Sequence, residues 1–408
     1  MEIFYVLLIL LVITRAFGEV AVRLGQPALV GELLAGIALG AAIRFSPSSF
    51  PVMHAIPNND VFTAITDLGI FFLMLMAGLE MRPREIAEKS KGAMFIAAGG
   101  LIIPLLVGFS LGWFFLPRSE IKLAQTLFIG TALAITAVPV AAKVLMDLDK
   151  LRSTAGKMIL SAAIIDDILG LLLLAVLTAV IRTGEMPDPA GLLWLVGQIV
   201  LFIAIVTAIG LYVLPRLERV FHRSMSEEFE FSILLVVAFG FAVLAEALHM
   251  HFILGAFAAG LFFTKRTMDS EVFKGVQSRI SGITTGFLAP VFFASIGLHL
   301  DVAAFTSIPL FLAVLIVAAV LCKLIGAGLP AYWIGLSGKD SLIVGFGMSG
   351  RGAVELIIAD IALRAGLFSH PDPPPAIVAN LFSAIVIMAV VTTLLTPIGL
   401  RLIVSRVS

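Results

Sequence analysis

Two short stretches, Gly31-Glu32-Leu33-Leu34-Ala35-Gly36 and Gly255-Ala256-Phe257-Ala258-Ala259-Gly260, place small residues at the same spacing 224 positions apart. Further along, Gly78-Leu79 is matched by Gly297-Leu298 at a similar offset of 219 positions. Either match alone is what chance gives in helices rich in Gly and Ala. Two matches in the same order indicate that the chain contains an internal repeat.

The composition excludes an ordinary soluble protein. Of the 408 residues, 60% are hydrophobic and 13% charged, and the mean hydropathy is +1.11. A soluble domain carries about 25% charged residues, so the chain is predicted to be a polytopic membrane protein. Lys plus Arg equals Asp plus Glu, at 27 each, and this balance excludes nucleic-acid binding as a main role. The single cysteine, Cys322, excludes an internal disulfide and a multi-cysteine metal cluster.

Long continuous apolar runs predict an all-α protein, because a helix satisfies its own backbone within lipid. A spanning helix needs about 20 apolar residues. We predict thirteen helices, at residues 2–24, 28–43, 60–80, 91–116, 122–147, 153–182, 190–214, 228–248, 251–264, 275–299, 305–334, 338–366 and 376–404.

The repeat relates predicted helix 2 to helix 9 and helix 3 to helix 10, a displacement of seven helices. Because seven is odd, matching helices run in opposite directions across the membrane. The sequence therefore predicts an inverted repeat of six helices, one linker helix and six more. Inverted repeats are typical of secondary transporters, which bind their substrates near the membrane midplane at discontinuous helices.

The distribution of Lys and Arg over the loops predicts the orientation. Five of these residues lie on the side of the N-terminus and seventeen on the opposite side. Since the cytoplasmic side carries the excess of positive charge, we expect the N-terminus outside and the C-terminus in the cytoplasm of a bacterial or archaeal inner membrane.

Two corresponding helices of the repeat, the fifth and the twelfth, carry signals for a break. Pro139 in helix 5 removes a backbone donor and clashes with the preceding turn. Helix 12 contains Gly345-Phe346-Gly347-Met348-Ser349-Gly350-Arg351-Gly352, with four glycines in eight residues. We predict that both helices are interrupted, so that their ends present partial charges and free carbonyl groups to an ion.

Charged residues also lie deep within predicted spans. Asp166 and Asp167 sit about half way along helix 6, where a carboxylate is costly and calls for a functional reason. Lys323 in helix 11 is the best basic partner, with snorkelling to the interface as its alternative. Arg351 and Glu355 are spaced for mutual pairing, in a role that either neutralises the broken helix or takes part in transport.

These groups suggest ion exchange. A small cation prefers hard oxygen ligands, which Asp167, Asp166, Thr136 and the carbonyl groups at the helix 5 break can supply. Burial disfavours the charged form of a carboxyl group, whereas a nearby ammonium favours it. A proton and a cation then compete for one carboxylate, and that competition is antiport.

Five motifs in order resemble the monovalent cation/proton antiporter superfamily, and its NapA-type sodium/proton antiporters in particular. The resemblance covers essentially the whole chain. The motifs are Gln26-Pro27-Ala28-Leu29-Val30-Gly31-Glu32-Leu33-Leu34-Ala35-Gly36, Phe72-Leu73-Met74-Leu75-Met76-Ala77-Gly78-Leu79-Glu80, Asp166-Asp167, Phe292-Phe293-Ala294-Ser295-Ile296-Gly297-Leu298 and Gly350-Arg351-Gly352-Ala353-Val354-Glu355.

The resemblance implies roles for the site residues. Asp167 corresponds to the family's ion-binding and proton-carrying aspartate, and Asp166 to the aspartate that pairs with the lysine, here Lys323. Thr136 lies in the unwound stretch of the first crossing helix, while Arg351 and Glu355 match an element of the second. An Asp pair with a Lys resembles the electrogenic members.

The resemblance also implies an architecture and a movement. A core part, about 60–182 and 275–404, carries the two crossing, interrupted helices, and a scaffold part, about 1–43 and 190–264, forms a homodimer. The core moves like an elevator against the scaffold. The implied activity is exchange of sodium or lithium for protons across the bilayer, with no cofactor.

Other functions remain to be weighed. A potassium/proton antiporter of the potassium-efflux type and an electroneutral sodium/proton exchanger fit the same motifs. Aspartyl catalysis needs two carboxylates from different segments facing one water, and the adjacent Asp166 and Asp167 fit it poorly, so we expect no enzyme. A channel would need neither carboxylate–lysine compensation nor inverted repeats.

Overall fold

The computed structural model describes residues 2–45, 59–80, 91–136, 145, 150, 153–183, 189–213, 227–263 and 270–405. Within these ranges all regular secondary structure is helical. Eight of the described helices are long and apolar enough to cross a membrane, and three shorter ones are also apolar. The predicted all-helical membrane fold is confirmed.

The helix bounds follow the apolar runs of the sequence closely. They are α1 Glu2–Arg23, α2 Ala28–Phe45, α3 Asp60–Glu80, α4 Lys91–Phe115, α5 Lys122–Ala134, α6 Thr154–Thr183, α7 Pro189–Ala208, α8 Glu227–Ala247, α9 Phe252–Phe262, α10 Ser270–Ile283 continued by Ala289–His299, α11 Pro309–Trp333, α12a Gly338–Gly347, α12b Ala353–Arg364 and α13 Leu381–Ser405. A π-helical turn, Ile209–Val213, extends α7, and another, Thr284–Leu288, joins the two parts of α10.

The main departure from the predicted helices concerns the fifth. The interruption of the predicted helix 122–147 is expected at Pro139, but α5 ends at Ala134 and Ile135 adopts an extended conformation with φ −76° and ψ 145°. The break therefore begins before the proline, and Pro139 itself lies outside the described residues.

The chain divides into two compact units. One comprises residues 1–12, 50–84 and 187–295, and the other residues 13–49, 85–186 and 296–408. The second unit has a hydrophobic core of fully buried side chains, among them Ile96 of α4, Ile159 of α6, Ala327 of α11 and Val344 of α12a. The resemblance implies a different division, into a core part that moves and a scaffold part, and that division stays a prediction.

Close helix contacts reproduce the internal repeat. In the second unit, Gly31 of α2 packs so tightly on α1 that an added Cβ would overlap the carbonyl oxygen of Phe17. In the first unit, Gly255 of α9 packs in the same way on the carbonyl oxygen of Phe241 in α8. Both residues of the second contact lie 224 positions after those of the first. The contact between α1 and α2 is thus repeated as the contact between α8 and α9.

A second pair of contacts shows the same symmetry. In the first unit, a Cβ at Gly78 of α3 would lie 2.9 Å from the Cα of Gly260 in α9. In the second unit, a Cβ at Gly297 of α10 would lie 2.8 Å from the carbonyl carbon of Gly36 in α2. In each of these contacts, a glycine from one half of the repeat packs against a glycine from the other half. The two matches that revealed the repeat in the sequence are helix-crossing points.

Gly31→Ala is expected to destabilise the protein by about 1–3 kcal/mol, the usual cost of overpacking a tight contact. Gly240→Ala is the matched control, because Gly240 lies within α8 with open space where the Cβ would stand. There the extra methyl group favours the helix by up to about 1 kcal/mol. Thermal unfolding in detergent measures both variants, and equal midpoints would contradict the packing described here.

Candidate functional site

Two helix interruptions meet in the second unit. Helix α5 stops at Ala134, and the twelfth helix is interrupted between Gly347 and Ala353. The hydroxyl group of Thr136, just past the end of α5, donates a hydrogen bond of 3.1 Å to the carbonyl oxygen of Met348 in the second interruption. The predicted interruption of both helices is confirmed, and one side chain links them.

A buried lysine lies against the first interruption. The Nζ atom of Lys323 is 2.6 Å from the hydroxyl oxygen of Thr136 and 3.4 Å from Oδ2 of Asp166. The side chains of Lys323 and Asp166 are 0% and 1% exposed. Lys323 therefore points inward and does not snorkel to the interface. The structure brings together three residues that the sequence singled out from three different helices.

The two aspartates of α6 differ in their surroundings. Neighbouring side chains on a helix point about 100° apart, and here Asp166 is buried whereas Asp167 is partly exposed. The second carboxylate oxygen of Asp166, Oδ1, has no hydrogen-bond partner among the described residues. Oδ1 of Asp166 and the partly exposed carboxylate of Asp167 are therefore candidate ligands for a proton or a cation.

Arg351 lies in the second interruption, and its side chain bonds to the main chain at the first interruption. Its fully buried guanidinium group donates hydrogen bonds to the carbonyl oxygens of Leu133, at 2.7 Å, and Ile135. These carbonyl groups lie at the C-terminal end of α5, which carries a partial negative charge that a cation stabilises. The guanidinium group thus replaces the helical hydrogen bonds that are lost where α5 ends.

Glu355 completes a buried cluster of charges. One of its oxygens is 3.7 Å from Nε of Arg351, and both side chains are fully buried. Neither carboxylate oxygen of Glu355 has a hydrogen-bond partner among the described residues. The pairing predicted from the four-residue spacing is present, although Arg351 itself precedes the first turn of α12b.

The cluster formed by Asp166, Asp167, Lys323, Arg351 and Glu355 contains three carboxyl groups and two cationic groups. With all five charged, one negative charge is left without a partner within this set. A single bound proton or monovalent cation balances it. The four buried members of the set, two acidic and two basic, balance one another, so the charge without a partner is that of the partly exposed Asp167.

Side chains of two elements can supply oxygen atoms for a cation. Oδ1 of Asp166 and the hydroxyl group of Thr136 belong to the two residues that contact Lys323 at the first interruption, and Asp167 is the next residue of α6. Carboxylate, hydroxyl and carbonyl oxygens suit hard cations. Among the described residues, no group of three or more His, Cys, Asp or Glu side chains is placed to hold a metal ion.

Two supporting features were not predicted. Gln125 of α5 is buried and donates to the carbonyl oxygens of Leu367 and His370, at 2.9 and 2.7 Å, so it ties α5 to the connection that follows α12b. Glu32 of α2 is 4% exposed and lies 3.7 Å from Arg15 of α1. Arg15 lies within the apolar run of the first helix, and a charge at such a position indicates a buried partner. The sequence did not identify Glu32 as that partner.

Comparisons with known proteins agree with this geometry. The family model described as "Sodium/hydrogen exchanger, transmembrane" matches residues 6–406. The Na(+)/H(+)-K(+) antiporter GerN of Bacillus cereus is 33% identical over 396 residues, which cover 97% of this chain and 95% of GerN. A Na(+)/H(+) antiporter of Enterococcus hirae is 28% identical over 410 residues, covering 100% of this chain and 99% of that protein.

A solved structure shows the same fold. The sodium proton antiporter MjNhaP1 from Methanocaldococcus jannaschii superimposes with a TM-score of 0.72 at 18% sequence identity. The match covers 98% of this chain and 97% of that chain. This chain therefore has the fold of that antiporter.

Proposed function

Since the chain belongs to the sodium/hydrogen exchanger family, we propose that this integral membrane protein is a secondary antiporter that exchanges sodium or lithium for protons. Membership of a transporter family supports transport over catalysis. The names of the relatives, GerN and the Enterococcus hirae antiporter, both include sodium/proton exchange. The termini are oriented as the loop charges predict, with the C-terminus in the cytoplasm.

The observation that carries the proposal is the charge balance of the cluster of five charged residues. The cluster contains three carboxyl groups and two cationic groups, so one carboxylate has no cationic partner and can bind either a proton or a cation. Asp167 takes this role, because Asp166 is held by Lys323 at 3.4 Å and Glu355 lies 3.7 Å from Arg351. Binding of sodium and of a proton to Asp167 then exclude each other, which couples the two fluxes.

The proposal extends to the electrical character and the movement of the transporter. Asp166 and Lys323 form the buried pair that resembles the electrogenic members, so net charge crosses the membrane in each cycle. The core part, about 60–182 and 275–404, carries the site across the bilayer like an elevator. The scaffold part, about 1–43 and 190–264, holds the homodimer together.

Potassium is the second candidate for the transported ion. The name of GerN includes potassium as well as sodium. The ligand set consists of carboxylate, hydroxyl and carbonyl oxygens, all of which bind both ions. Sodium is preferred as the main substrate because it is common to the names of both relatives.

The proposal is tested in proteoliposomes that hold an imposed pH gradient reported by a pH-sensitive dye. Sodium, lithium and potassium are added in turn, with and without a clamp of the membrane potential. We expect sodium and lithium to dissipate the gradient, with a rate that responds to the potential. Dissipation by potassium alone would assign the potassium-linked activity, and indifference to the potential would assign electroneutral exchange.

A further inference from the structure

The repeat pairs the acidic helix α6 with α13. The two helices begin at Thr154 and Leu381, so matching residues lie 227 positions apart. At that offset, Asp166 corresponds to Thr393. The second half of the chain thus carries a hydroxyl group where the first half carries the carboxyl group that pairs with Lys323.

The lysine of the site has no charged counterpart either. Gly99 of α4 and Gly326 of α11 face each other, since an added Cβ on Gly326 would lie 2.6 Å from the carbonyl oxygen of Gly99. Three residues before each glycine stand Ile96 and Lys323, both fully buried. At the repeat position of Lys323, the first half of the chain therefore carries an apolar side chain.

The two threonines of α13 make different contacts. The hydroxyl group of Thr392 bonds to carbonyl oxygens of its own helix, those of Met388 and Ala389. The hydroxyl group of Thr393 donates instead to the carbonyl oxygen of Arg351 in the second interruption, at 3.0 Å. Thr393 is 2% exposed. The counterpart of Asp166 therefore fixes the main chain of the residue whose side chain caps α5.

This contact completes a series of hydrogen bonds across the site. Thr393 holds the main chain of Arg351, and the guanidinium group of Arg351 holds the carbonyl oxygens of Leu133 and Ile135. The next residue, Thr136, lies 2.6 Å from Lys323. A shift of the Arg351 main chain would thus displace the end of α5 where the proposed cation ligands lie.

We propose that Thr393 is a positioning residue for cation binding, acting through Arg351 on the end of α5. The inference rests on the proposed function, since it assumes that sodium binds at this end. Its hydroxyl group bonds to the main chain of Arg351 and is not among the proposed cation ligands. It supplies from the second half of the repeat a neutral hydrogen bond at the position where the first half supplies a carboxylate.

Shape alone is a competing explanation, because Thr393 also lines a small, mainly apolar pocket together with Gly352 and Leu356. Valine has nearly the volume of threonine but no hydroxyl group, and serine has the hydroxyl group but less volume. Thr393→Val and Thr393→Ser therefore separate the hydrogen bond from the packing. Thr392→Val is the matched control, because it removes a buried hydroxyl group from the adjacent position.

The experiment measures the apparent KM for sodium and the maximal rate in the proteoliposome assay. We expect Thr393→Val to raise the KM about fivefold, which corresponds to the loss of one ordinary hydrogen bond, with little change in maximal rate. Thr393→Ser and Thr392→Val should keep the wild-type KM. Equal KM values for Thr393→Val and Thr392→Val, or a rise for Thr393→Ser as large as that for Thr393→Val, would overturn the inference.

Two further measurements keep the outcome unambiguous. Should Thr393→Val not be recovered as folded protein, Thr393→Ala and Thr392→Ala are compared in its place, with the same expected difference. Wild-type protein and Asp167→Asn are assayed in parallel. Sodium-independent wild-type activity, or exchange by Asp167→Asn, would overturn the proposed function, whereas failure of the Thr393 comparison alone would overturn only the role of Thr393.

Discussion

Asp167→Asn is expected to reduce sodium/proton exchange to the rate of empty liposomes while the protein still folds. Asparagine has almost the shape of aspartate but carries no charge and takes up no proton near neutral pH. In the cluster of five charged residues it removes the one carboxylate that has no cationic partner, so the remaining two acids and two bases balance without an ion. The coupling between proton and sodium is then lost.

The control for this prediction is Asp301→Asn. Asp301 is an exposed aspartate before α11, and its carboxylate accepts a hydrogen bond from the backbone of Ala303. An asparagine oxygen can accept the same bond, so exchange should continue at the wild-type rate. Thermal unfolding shows whether each variant is folded. Substantial exchange by folded Asp167→Asn would assign the ion site to other residues.

Lys323→Ala is expected to produce the largest loss of stability, about 3–5 kcal/mol, because it leaves a buried carboxylate without its cationic partner. Lys323 also donates to Thr136, so the end of α5 loses a contact as well. We further expect exchange to lose its response to membrane potential more than its affinity for sodium. The measurements are thermal unfolding and the rate under a clamped potential.

A double-mutant cycle isolates the buried pair from other effects of the substitution. Asp166→Asn combined with Lys323→Ala should be less destabilising than the sum of the two single changes, because removal of both charges leaves none unpaired. Lys157→Ala, at an exposed position in the first turns of α6, should leave the midpoint unchanged. Additive effects in the cycle would mean that Asp166 and Lys323 do not stabilise each other.

The helices and the repeat could be predicted from the sequence because both depend on local patterns. The apolar runs set the helix bounds to within a few residues, and the cluster from Gly345 to Gly352 indicated the interruption of the twelfth helix. The close approach of α2 to α1 is indicated in the sequence by Gly31, since only glycine fits at this contact. Such features follow from the residues themselves.

The details of the site depended on long-range contacts that local patterns do not contain. Pro139 indicated a break in the fifth helix, but the break begins at Ile135, whose carbonyl oxygen is held by Arg351, 216 residues further along. In the same way, no local signal could decide whether Lys323 snorkels or is buried, because its neighbours Asp166 and Thr136 come from other helices.

The most direct measurement of competition at Asp167 is proton release on addition of sodium to purified protein in weakly buffered detergent, with choline as the control cation. We expect saturable proton release from the wild type and none from Asp167→Asn. The sodium concentration for half-maximal release should rise as the pH is lowered, because protons then occupy the carboxylate more often. Equal release from the wild type and from Asp167→Asn would contradict exchange at this residue.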